Sequence, residues 1–477
     1  MIALALALAP KAGARVVDVT PDLPNATLAL WTGLALVALF FALRPELWRR
    51  LWFDRVDPRP AALTRIFFGG VVLWTVLDLL PYARFLFTDE GLWPTDAARK
   101  SYGGQLRFVW DPERGWRSLT DVFTALWSRF SLFHLRSDPP FVFAVFGATI
   151  ASLVAMILGL YTRASTLVAW LLVNSIYIYS PIFYTGGDTV VRNLLFLGLF
   201  CAWGEAYSLD AWRRRRRELL AGAAAPPPLR EIAAWPQRLM MLQLTVIYCA
   251  TGALKSGVTW FDGTALYYAL SLDHFYRHPA QIPLVVALQR VGVLPLATWV
   301  TKLWETFFPL ALIGAALAAY ERERALGAAS WRRWLSWACA AGVVVVAAYV
   351  AGLTAAYYYD PALGPVGLDP AALGRLVTGL VLAVPAALVA AYLLVRRRPR
   401  ARGVTLRWVL GKRTWLGIGV VMHIGIDLLM NVGTFVQVML AAYLAWLSGA
   451  DVDRLWRLLG TRALRPGEPG HVAPAGR

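Results

Sequence analysis

The feature that most constrains this chain is a series of apolar segments, each about 17 to 25 residues long. An α-helix of that length crosses the roughly 30 Å hydrocarbon core of a bilayer. The composition agrees, because 58% of the residues are hydrophobic and only 16% are charged, against about 25% charged in soluble domains. The sequence therefore predicts an all-α, polytopic transmembrane helical bundle and not a soluble enzyme with a membrane anchor.

About eleven segments have this length and apolarity. They lie at roughly 26–44, 61–80, 140–160, 163–182, 189–207, 236–255, 295–320, 335–358, 372–395, 414–430 and 432–449. The long segment 82–138 between the second and third spans is rich in tryptophan and carries mixed charge. We expect it to form amphipathic helices that lie on the outer membrane surface.

The net charge of +18 is concentrated in a few basic segments. They follow the first, fifth and last spans and lie between the seventh and eighth and between the ninth and tenth. If eleven spans alternate, all these segments fall on one side, which is the positive-inside pattern. The pattern predicts a multi-pass cell-membrane protein with its N-terminus outside and its C-terminus in the cytoplasm. The arginine run 213–217 could also attract anionic lipid, whereas nucleic acid is not an expected partner.

Charged and titratable residues inside spans are candidates for function. Each costs about 2.5 to 3.5 kcal/mol on insertion scales and therefore has to face a partner or a cavity. The candidates at the outer side or within the spans are Lys255, Asp188, Arg192, Glu305, His423 and Asp427. His423, Asp427 and Asn431 are spaced by four, which predicts that they lie on one helix face. Their structural alternatives remain open: an i,i+4 ion pair between Asp188 and Arg192, interhelical hydrogen bonds for Glu305 and for His423 with Asp427, and a lysine snorkelling to headgroups.

Two motifs resemble a known family. Tyr248 to Gly263, with the pattern G-x-x-K-x-x-x-x-W-x-x-G, is similar to the catalytic-lysine segment of vitamin K-dependent γ-glutamyl carboxylases and of the wider bacterial horizontally transferred transmembrane (HTTM) group. Met422 to Leu444 resembles the histidine helix of the same family at His423, Gly433, Phe435 and 438–440. The resemblance covers about 60–450 of the chain.

The resemblance implies a carbon–carbon lyase of the γ-glutamyl carboxylase type with an extracytoplasmic site. Lys255, as the neutral amine, would be the catalytic base that deprotonates reduced vitamin K or menaquinol, and a secreted peptide would supply the substrate glutamate. Trp260, Tyr267 and Tyr268 would line the quinone headgroup, with interfacial anchoring as their alternative role. Asp188, Arg192, Glu305, His423 and Asp427 would line the same site.

The resemblance also implies a domain arrangement. We expect an outer leader at 1–25, an extra span and cytoplasmic loop at 26–59, the HTTM-like domain at 60–450 with two inserted spans near 335–395, and a basic cytoplasmic tail at 451–477. Two features depart from the family. Gly187 and Asp188 stand where the family carries Asn-His, and the β-rich domain of animal carboxylases has no counterpart, so clotting-factor-type substrates are not expected.

Other functions remain open. One is a non-carboxylating HTTM protein of the sporulation-delaying B type, which matures or exports a peptide. Another is a lipid- or quinone-binding membrane protein in which Lys255 acts as a binding cation. A small-molecule transporter is less favoured, because spans six, seven and ten lack paired Gly/Pro breaks in two matching halves. The cysteines Cys201, Cys249 and Cys339 lack metal-ligand spacing, so no metal site is expected.

Overall fold

The computed structural model describes residues 20–101, 131–179, 185–223, 225, 227–255, 257–324, 330–359, 369–395 and 397–460. Helices dominate this part of the chain. In chain order, α1 to α21 are Leu23–Leu43, Pro45–Trp52, Pro58–Leu79, Ala83–Phe87, Thr95–Ser101, Pro139–Leu158, Thr162–Ile178, Gly186–Gly198, Leu209–Leu220, Trp235–Leu254, Val258–Phe261, Ala265–Ser271, Ile282–Arg290, Val293–Phe307, Pro309–Arg324, Ser330–Tyr358, Pro370–Val395, Pro399–Val404, Lys412–Leu429, Phe435–Ala442 and Gly449–Leu458.

The described strands are β1 (Arg55–Val56) and β2 (Ile232–Ala233), which pair antiparallel. Short 3₁₀ turns and one π turn complete the assignment. The 3₁₀ turns lie at Thr20–Asp22, Leu80–Tyr82, Leu132–His134, Trp203–Glu205, Pro279–Gln281 and Tyr443–Trp446, and the π turn at Thr405–Val409. The predicted all-α class is confirmed.

Several helices are long and apolar enough to cross a bilayer. Among the described residues there are six: Leu23–Leu43, Pro58–Phe87, Pro139–Leu158, Val293–Leu317, Trp331–Tyr357 and Pro370–Val395. Phe435–Trp446 and Gly449–Leu458 form a further candidate, bent by 114°. The chain is therefore a multi-pass membrane protein whose apolar helices associate with lipid.

The predicted count of eleven spans is not confirmed. The remaining four predicted spans are helical, but they are shorter or less apolar than the six. They are Thr162–Ile178, Gly186–Gly198, Trp235–Leu254 and Lys412–Leu429.

Some predictions fall partly outside the described residues. Within 82–138, the structure describes α4, α5 and the turn Leu132–His134, whereas 102–130 lie outside the described part. The same holds for 1–19 of the predicted leader and 461–477 of the predicted tail. The amphipathic outer-surface helices and the two terminal segments therefore stay predictions.

The chain divides into two compact units. The first contains residues up to Arg50, Thr251–Tyr267 and Leu288–Thr414, and the second contains Leu51–Ala250, Tyr268–Ala287 and the residues from Trp415 onward. Each unit is thus assembled from separate stretches of sequence. The segment 60–450 that resembles the carboxylase family contributes to both.

In the first unit, the predicted extra first span and the two spans predicted to be inserted near 335–395 pack together. Helix α1 packs against α16, and α16 packs against α17. Gly352 and Gly374 let α16 and α17 approach closely, since a Cβ on Gly374 would lie 2.9 Å from the Gly352 carbonyl oxygen. The buried Arg44 at the end of α1 donates from Nε to the Ser336 hydroxyl over 3.0 Å. The predicted extra span and the two predicted inserted spans therefore form one helical cluster.

In the second unit, α3 is the central element. It packs against α6 and α20 and buries Phe68, Val72 and Val76 completely. Gly69 lies where α3 meets α6, because an added Cβ would come within 2.8 Å of the Met156 side chain. Lipid tails are as apolar as these side chains, so the unit is stabilised by the close van der Waals packing that fills the space between its helices.

Candidate functional site

Lys255 lies against Glu305 in the first unit. Helix α10 ends at Leu254, and the Lys255 N–H still donates to the Thr251 carbonyl over 3.1 Å, so the last helical turn fixes the lysine backbone. The Lys255 ammonium (Nζ) donates to Glu305 Oε2 over 2.5 Å. The Thr251 hydroxyl is a further hydrogen-bond partner of the Glu305 carboxylate. The sequence had singled out Lys255 and Glu305 separately, and the structure joins them.

The position of Glu305 follows from a break in its span. Pro309 begins a new helix, α15, and proline has no N–H to continue the hydrogen bonds of α14. The Glu305 carbonyl is instead bonded by the Phe308 N–H over 3.3 Å. A carboxylate one turn before this break faces Lys255 from a separate helix.

The pair is largely sheltered from solvent. The side chains of Lys255 and Glu305 keep 22% and 10% of their accessible surface. The Lys255 ammonium also lies 5.4 Å from the centroid of the Trp260 ring, within the range of a cation–π attraction. The structure thus brings together three of the predicted site residues: a cation, an anion and an aromatic face.

The two glycines of the lysine motif are positions of close helix approach. A Cβ on Gly252 would lie 2.5 Å from the Thr306 backbone nitrogen, and one on Gly263 would lie 2.7 Å from Pro295 Cα. Gly263 also has a φ of +81°, a left-handed conformation that glycine adopts without strain. Both contacts fasten the segment 252–263 to α14, which carries Glu305. The spacing of the motif therefore has a geometric cause.

Two hydrogen bonds from α14 hold the short segment that carries Trp260. Trp260 lies on the short helix α11, whose Phe261 carbonyl accepts a hydrogen bond from Trp299 Nε1 over 3.0 Å. The Thr298 hydroxyl donates to the Gly263 carbonyl over 3.1 Å. Tyr267 and Tyr268 lie on the next helix, α12, where Tyr267 is half-buried and Tyr268 is 54% exposed.

His423 lies in the second unit within a hydrogen-bonded network. It is 1% exposed, and its Nδ1 lies 2.7 Å from the Gly419 carbonyl, which can only accept. Nδ1 therefore carries the hydrogen, and in the neutral ring Nε2 is an acceptor. The Tyr248 hydroxyl lies 3.3 Å from Nε2 and 2.7 Å from the Tyr443 hydroxyl. The Tyr248 hydroxyl therefore donates to His423 Nε2, and the Tyr443 hydroxyl donates to the Tyr248 hydroxyl oxygen.

Asp427 is one turn from His423 on α19 but has other partners. Gln437 Nε2 donates to Asp427 Oδ1 over 2.9 Å, and Arg277 lies 3.5 Å from the same oxygen. Helix α19 ends at Leu429, so Asn431 does not continue the predicted polar face. Its N–H donates to the Phe275 carbonyl over 2.7 Å.

Asp188 and Arg192 lie on α8 in the second unit. Asp188 caps this helix, because its carboxylate accepts from the Thr185 N–H over 2.7 Å and from the Thr185 hydroxyl over 3.1 Å. Arg192 donates from Nε to Asn174 Oδ1 over 2.5 Å. The two charges still attract each other, but each side chain also has a hydrogen-bond partner, Thr185 or Asn174, that the i,i+4 interpretation did not include.

Two buried arginines were not recognised from the sequence as parts of the interior. Arg59 belongs to a basic segment predicted to lie in a loop, yet it is 1% exposed and pairs with Asp57 at 2.5 Å and Asp453 at 2.8 Å. Arg65 lies inside the second span, is completely buried and donates to the carbonyls of Trp203 and Tyr207. The apolar surroundings of Arg65 were the available signal, since a charge at that depth requires partners.

No family model, curated protein or solved structure matches this chain. The resemblance to the HTTM group therefore stays a prediction that rests on the two motifs. Within the described part of the chain, no group of three or more His, Cys, Asp or Glu side chains is arranged to hold a metal ion. What the described geometry offers chemically is a proton donor–acceptor pair, Lys255 and Glu305, beside an aromatic ring.

Proposed function

We propose that this chain is an HTTM-type membrane protein that uses Lys255 as a base in a quinol-dependent γ-glutamyl carboxylation. The observation that carries the proposal is the 2.5 Å contact between Lys255 Nζ and Glu305 Oε2 inside apolar helices. A charged pair is expensive to keep in such surroundings. The resemblance of the surrounding motif to the catalytic-lysine segment supplies the reaction class.

The pair explains how Lys255 can become the neutral amine that a base has to be. A base has to accept a proton and must therefore be the neutral amine, whereas a neighbouring carboxylate favours the ammonium. In our proposal, the resting pair is an ammonium and a carboxylate, and once a bound ligand excludes water, Glu305 Oε2 takes the proton from Lys255 Nζ, which leaves a neutral amine and a neutral carboxylic acid. Low polarity favours this exchange, because it removes two separated charges from the apolar interior. Lys255 then accepts the next proton at Nζ.

The donor set fits an isoprenoid quinol. Its hydroxyl groups are proton donors for the Lys255 amine, and its flat ring suits the face of Trp260, with Tyr267 and Tyr268 as further candidates on the next helix. When bound, a reduced vitamin K or menaquinol would supply the strong base that removes the γ-proton of a substrate glutamate before carbon dioxide adds. The chain's own residues bind it, exclude water and move protons at Lys255 and Glu305.

A second function is favoured by the same ion pair. If the proton stays on Lys255, the residue is a fixed cation that binds the negative end of a peptide or lipid. We retain this as the alternative, in which the protein is a non-carboxylating HTTM member that matures or exports a peptide, or a lipid- or quinone-binding protein. In both readings the site faces outside and the basic segments face the cytoplasm.

Lys255→Arg separates the two functions, because arginine keeps the charge but cannot be deprotonated in proteins. The measurement is incorporation of labelled carbon dioxide into a glutamate-containing peptide by the full chain in proteoliposomes with menaquinol and oxygen. We expect the wild-type protein to incorporate carbon dioxide and Lys255→Arg to lose at least about a thousandfold of this activity, within the range that proton transfer and positioning supply together.

The matched control is Lys302→Arg, which changes a half-buried lysine on the same span as Glu305 and should leave incorporation unchanged. If Lys255→Arg incorporates carbon dioxide at the wild-type level, Lys255 is not the base, and only its proposed role as a binding cation remains. If the wild-type protein incorporates nothing, quenching of tryptophan fluorescence by menaquinone tests the alternative, and Lys255→Met should weaken it while Lys255→Arg should not.

A further inference from the structure

The five consecutive arginines of α9 do not share one environment. Arg214 pairs with Glu205 at 2.7 Å, and the Arg213 guanidinium lies 5.7 Å from the centroid of the Tyr161 ring. Arg215 and Arg216 instead line a cavity of about 430 Å³ in the second unit. The arginine run therefore contains two residues that line a cavity.

The cavity combines positive charge with an apolar wall. Besides Arg215 and Arg216, it is lined by Trp212 and Leu219 from the same helix and by Leu229 from the segment that follows. Leu229 is 8% exposed and so forms a fixed part of the wall, whereas Trp212 is 54% exposed. A ligand that fills such a cavity needs an anionic group beside a hydrocarbon part.

The two arginine charges are available to a ligand. Within the described residues, neither Arg215 nor Arg216 forms an ion pair with a carboxylate, although Arg214 and Arg230 nearby do. The Arg216 guanidinium lies 5.3 Å from the centroid of the Trp212 ring, which orients it without neutralising it. A guanidinium fork is well suited to phosphate, because it donates two parallel hydrogen bonds.

One wall of the cavity is held in an uncommon backbone conformation. Tyr207 has a φ of +45°, which a bulky side chain rarely adopts. Its carbonyl accepts a hydrogen bond from the buried Arg65 Nη2 over 2.5 Å, and its hydroxyl accepts from Trp456 Nε1 over 2.9 Å. Contacts at both ends of the residue fix it, so the cavity wall is present before any ligand binds.

We propose that this cavity binds an anionic phospholipid, with the phosphate on Arg215 and Arg216 and the start of an acyl chain along Trp212, Leu219 and Leu229. Helix α9 has the composition of an interfacial helix, with arginines beside leucine and tryptophan. The apolar wall favours a lipid over a soluble phosphate, because inorganic phosphate has nothing to place against it.

The experiment compares two double variants of equal charge in the full chain, purified in a neutral detergent. Arg215→Gln/Arg216→Gln removes the cavity arginines, and Arg213→Gln/Arg217→Gln removes two arginines of the same helix that do not line it. Binding of phosphatidylglycerol is measured by native mass spectrometry, with phosphatidylcholine, which is zwitterionic and carries no net charge, as the comparison. We expect about a twentyfold loss of affinity in the first variant and less than threefold in the second, at the usual contribution of an arginine near an anionic surface.

Equal losses in the two double variants would overturn the proposal, because they would indicate diffuse surface charge. It would also be overturned if phosphatidylcholine bound as tightly as phosphatidylglycerol, or if inorganic phosphate displaced the lipid at equal concentration. Arg216 is exposed, so Arg216→Gln alone replaces the double variant if that variant does not fold. Its expected loss is about fivefold, and an unchanged affinity would contradict the assignment.

Discussion

Two polar clusters within the apolar helices satisfy their buried polar groups in different ways. The Lys255–Glu305 pair of the first unit places an ammonium against a carboxylate, whereas the His423–Tyr248–Tyr443 network of the second unit joins neutral groups. Breaking a buried ion pair leaves an uncompensated charge, but replacing both partners by apolar residues is often neutral or stabilising. A neutral network contributes about 0.5 to 1.5 kcal/mol for each hydrogen bond.

The difference indicates where function is to be sought. A neutral network that satisfies its own hydrogen bonds is explained by stability alone. The ion pair is not explained by stability alone, because two apolar residues in its place would cost no stability. Its presence therefore favours a chemical or binding role. Three predictions test this contrast, and a fourth concerns a carboxylate outside the spans that accepts hydrogen bonds from neutral donors.

The largest effect on stability is expected for Glu305→Gln. The substitution keeps the shape of the side chain but leaves the Lys255 ammonium without its carboxylate. We expect a loss of about 2 to 3 kcal/mol, below the range for fully buried pairs because the Lys255 side chain keeps 22% of its surface. The unfolding temperature in detergent measures it. The control is Lys255→Met/Glu305→Met, which should recover most of the loss; a double variant less stable than Glu305→Gln would show that the pair is a net stabiliser.

Gly252→Ala tests the close approach that positions the pair. Its Cβ would lie 2.5 Å from a backbone nitrogen of α14, which cannot move without separating the helices. We expect a loss of about 1 to 3 kcal/mol, as for other overpacked positions, and a parallel fall in any activity that depends on Lys255. Gly425→Ala is the matched control on α19, because an added Cβ there meets nothing within 4 Å. Equal losses for the two variants would contradict the assignment of Gly252.

In the second unit, Tyr248→Phe and His423→Phe should each cost about 1 kcal/mol, because each leaves a buried group without its hydrogen-bond partner. The double variant should cost less than the sum of the two, since both remove the same bond. It should not return to wild-type stability, in contrast to the ion pair. Thermal unfolding of the three variants measures this, and strictly additive losses would mean that the 3.3 Å contact between the two residues carries no energy.

The smallest effect concerns Asp210, a carboxylate outside the spans that accepts hydrogen bonds from neutral donors. Partial burial acts to raise its pKa, but the Thr162 hydroxyl, the Thr162 N–H and the Tyr161 N–H, together with the nearby charge of Arg213, outweigh this, and the pKa lies below its usual value. Asp210 therefore contributes stability that is fully present above the unfolded-state pKa of about 3.9 and is lost as pH falls through the folded-state value.

Asp210→Asn removes this titration. We expect the unfolding temperature of the wild-type protein to fall more steeply below about pH 4 than that of the variant, with the two curves parallel above about pH 5. Measuring the two profiles in the same detergent checks the prediction. Parallel curves over the whole range would mean that Asp210 has the same pKa in the folded and unfolded chains.

Part of the candidate site could be predicted from the sequence. Lys255, Glu305 and His423 stood out because a charged or titratable group is costly among apolar residues, and that cost depends only on the local sequence. Their partners could not be predicted in the same way. Tyr248 and Tyr443 are 195 residues apart, and tyrosine is too common near membrane interfaces to indicate a network.

The pairing of distant segments also explains the errors. Arg59 was expected in a loop because it follows other basic residues, but its second carboxylate comes from Asp453, 394 residues later. The face predicted for His423, Asp427 and Asn431 assumed that the helix continued, whereas it ends at Leu429.

The sequence by itself determined that this protein is a multi-pass helical membrane protein, because the cost of moving a segment into lipid is close to a sum over its own residues. Only the tertiary structure decided that Lys255 faces Glu305 and Trp260, and that the first span packs against α16, which in turn packs against α17. Those contacts depend on which helices become neighbours, and that is set by packing between segments far apart in the chain.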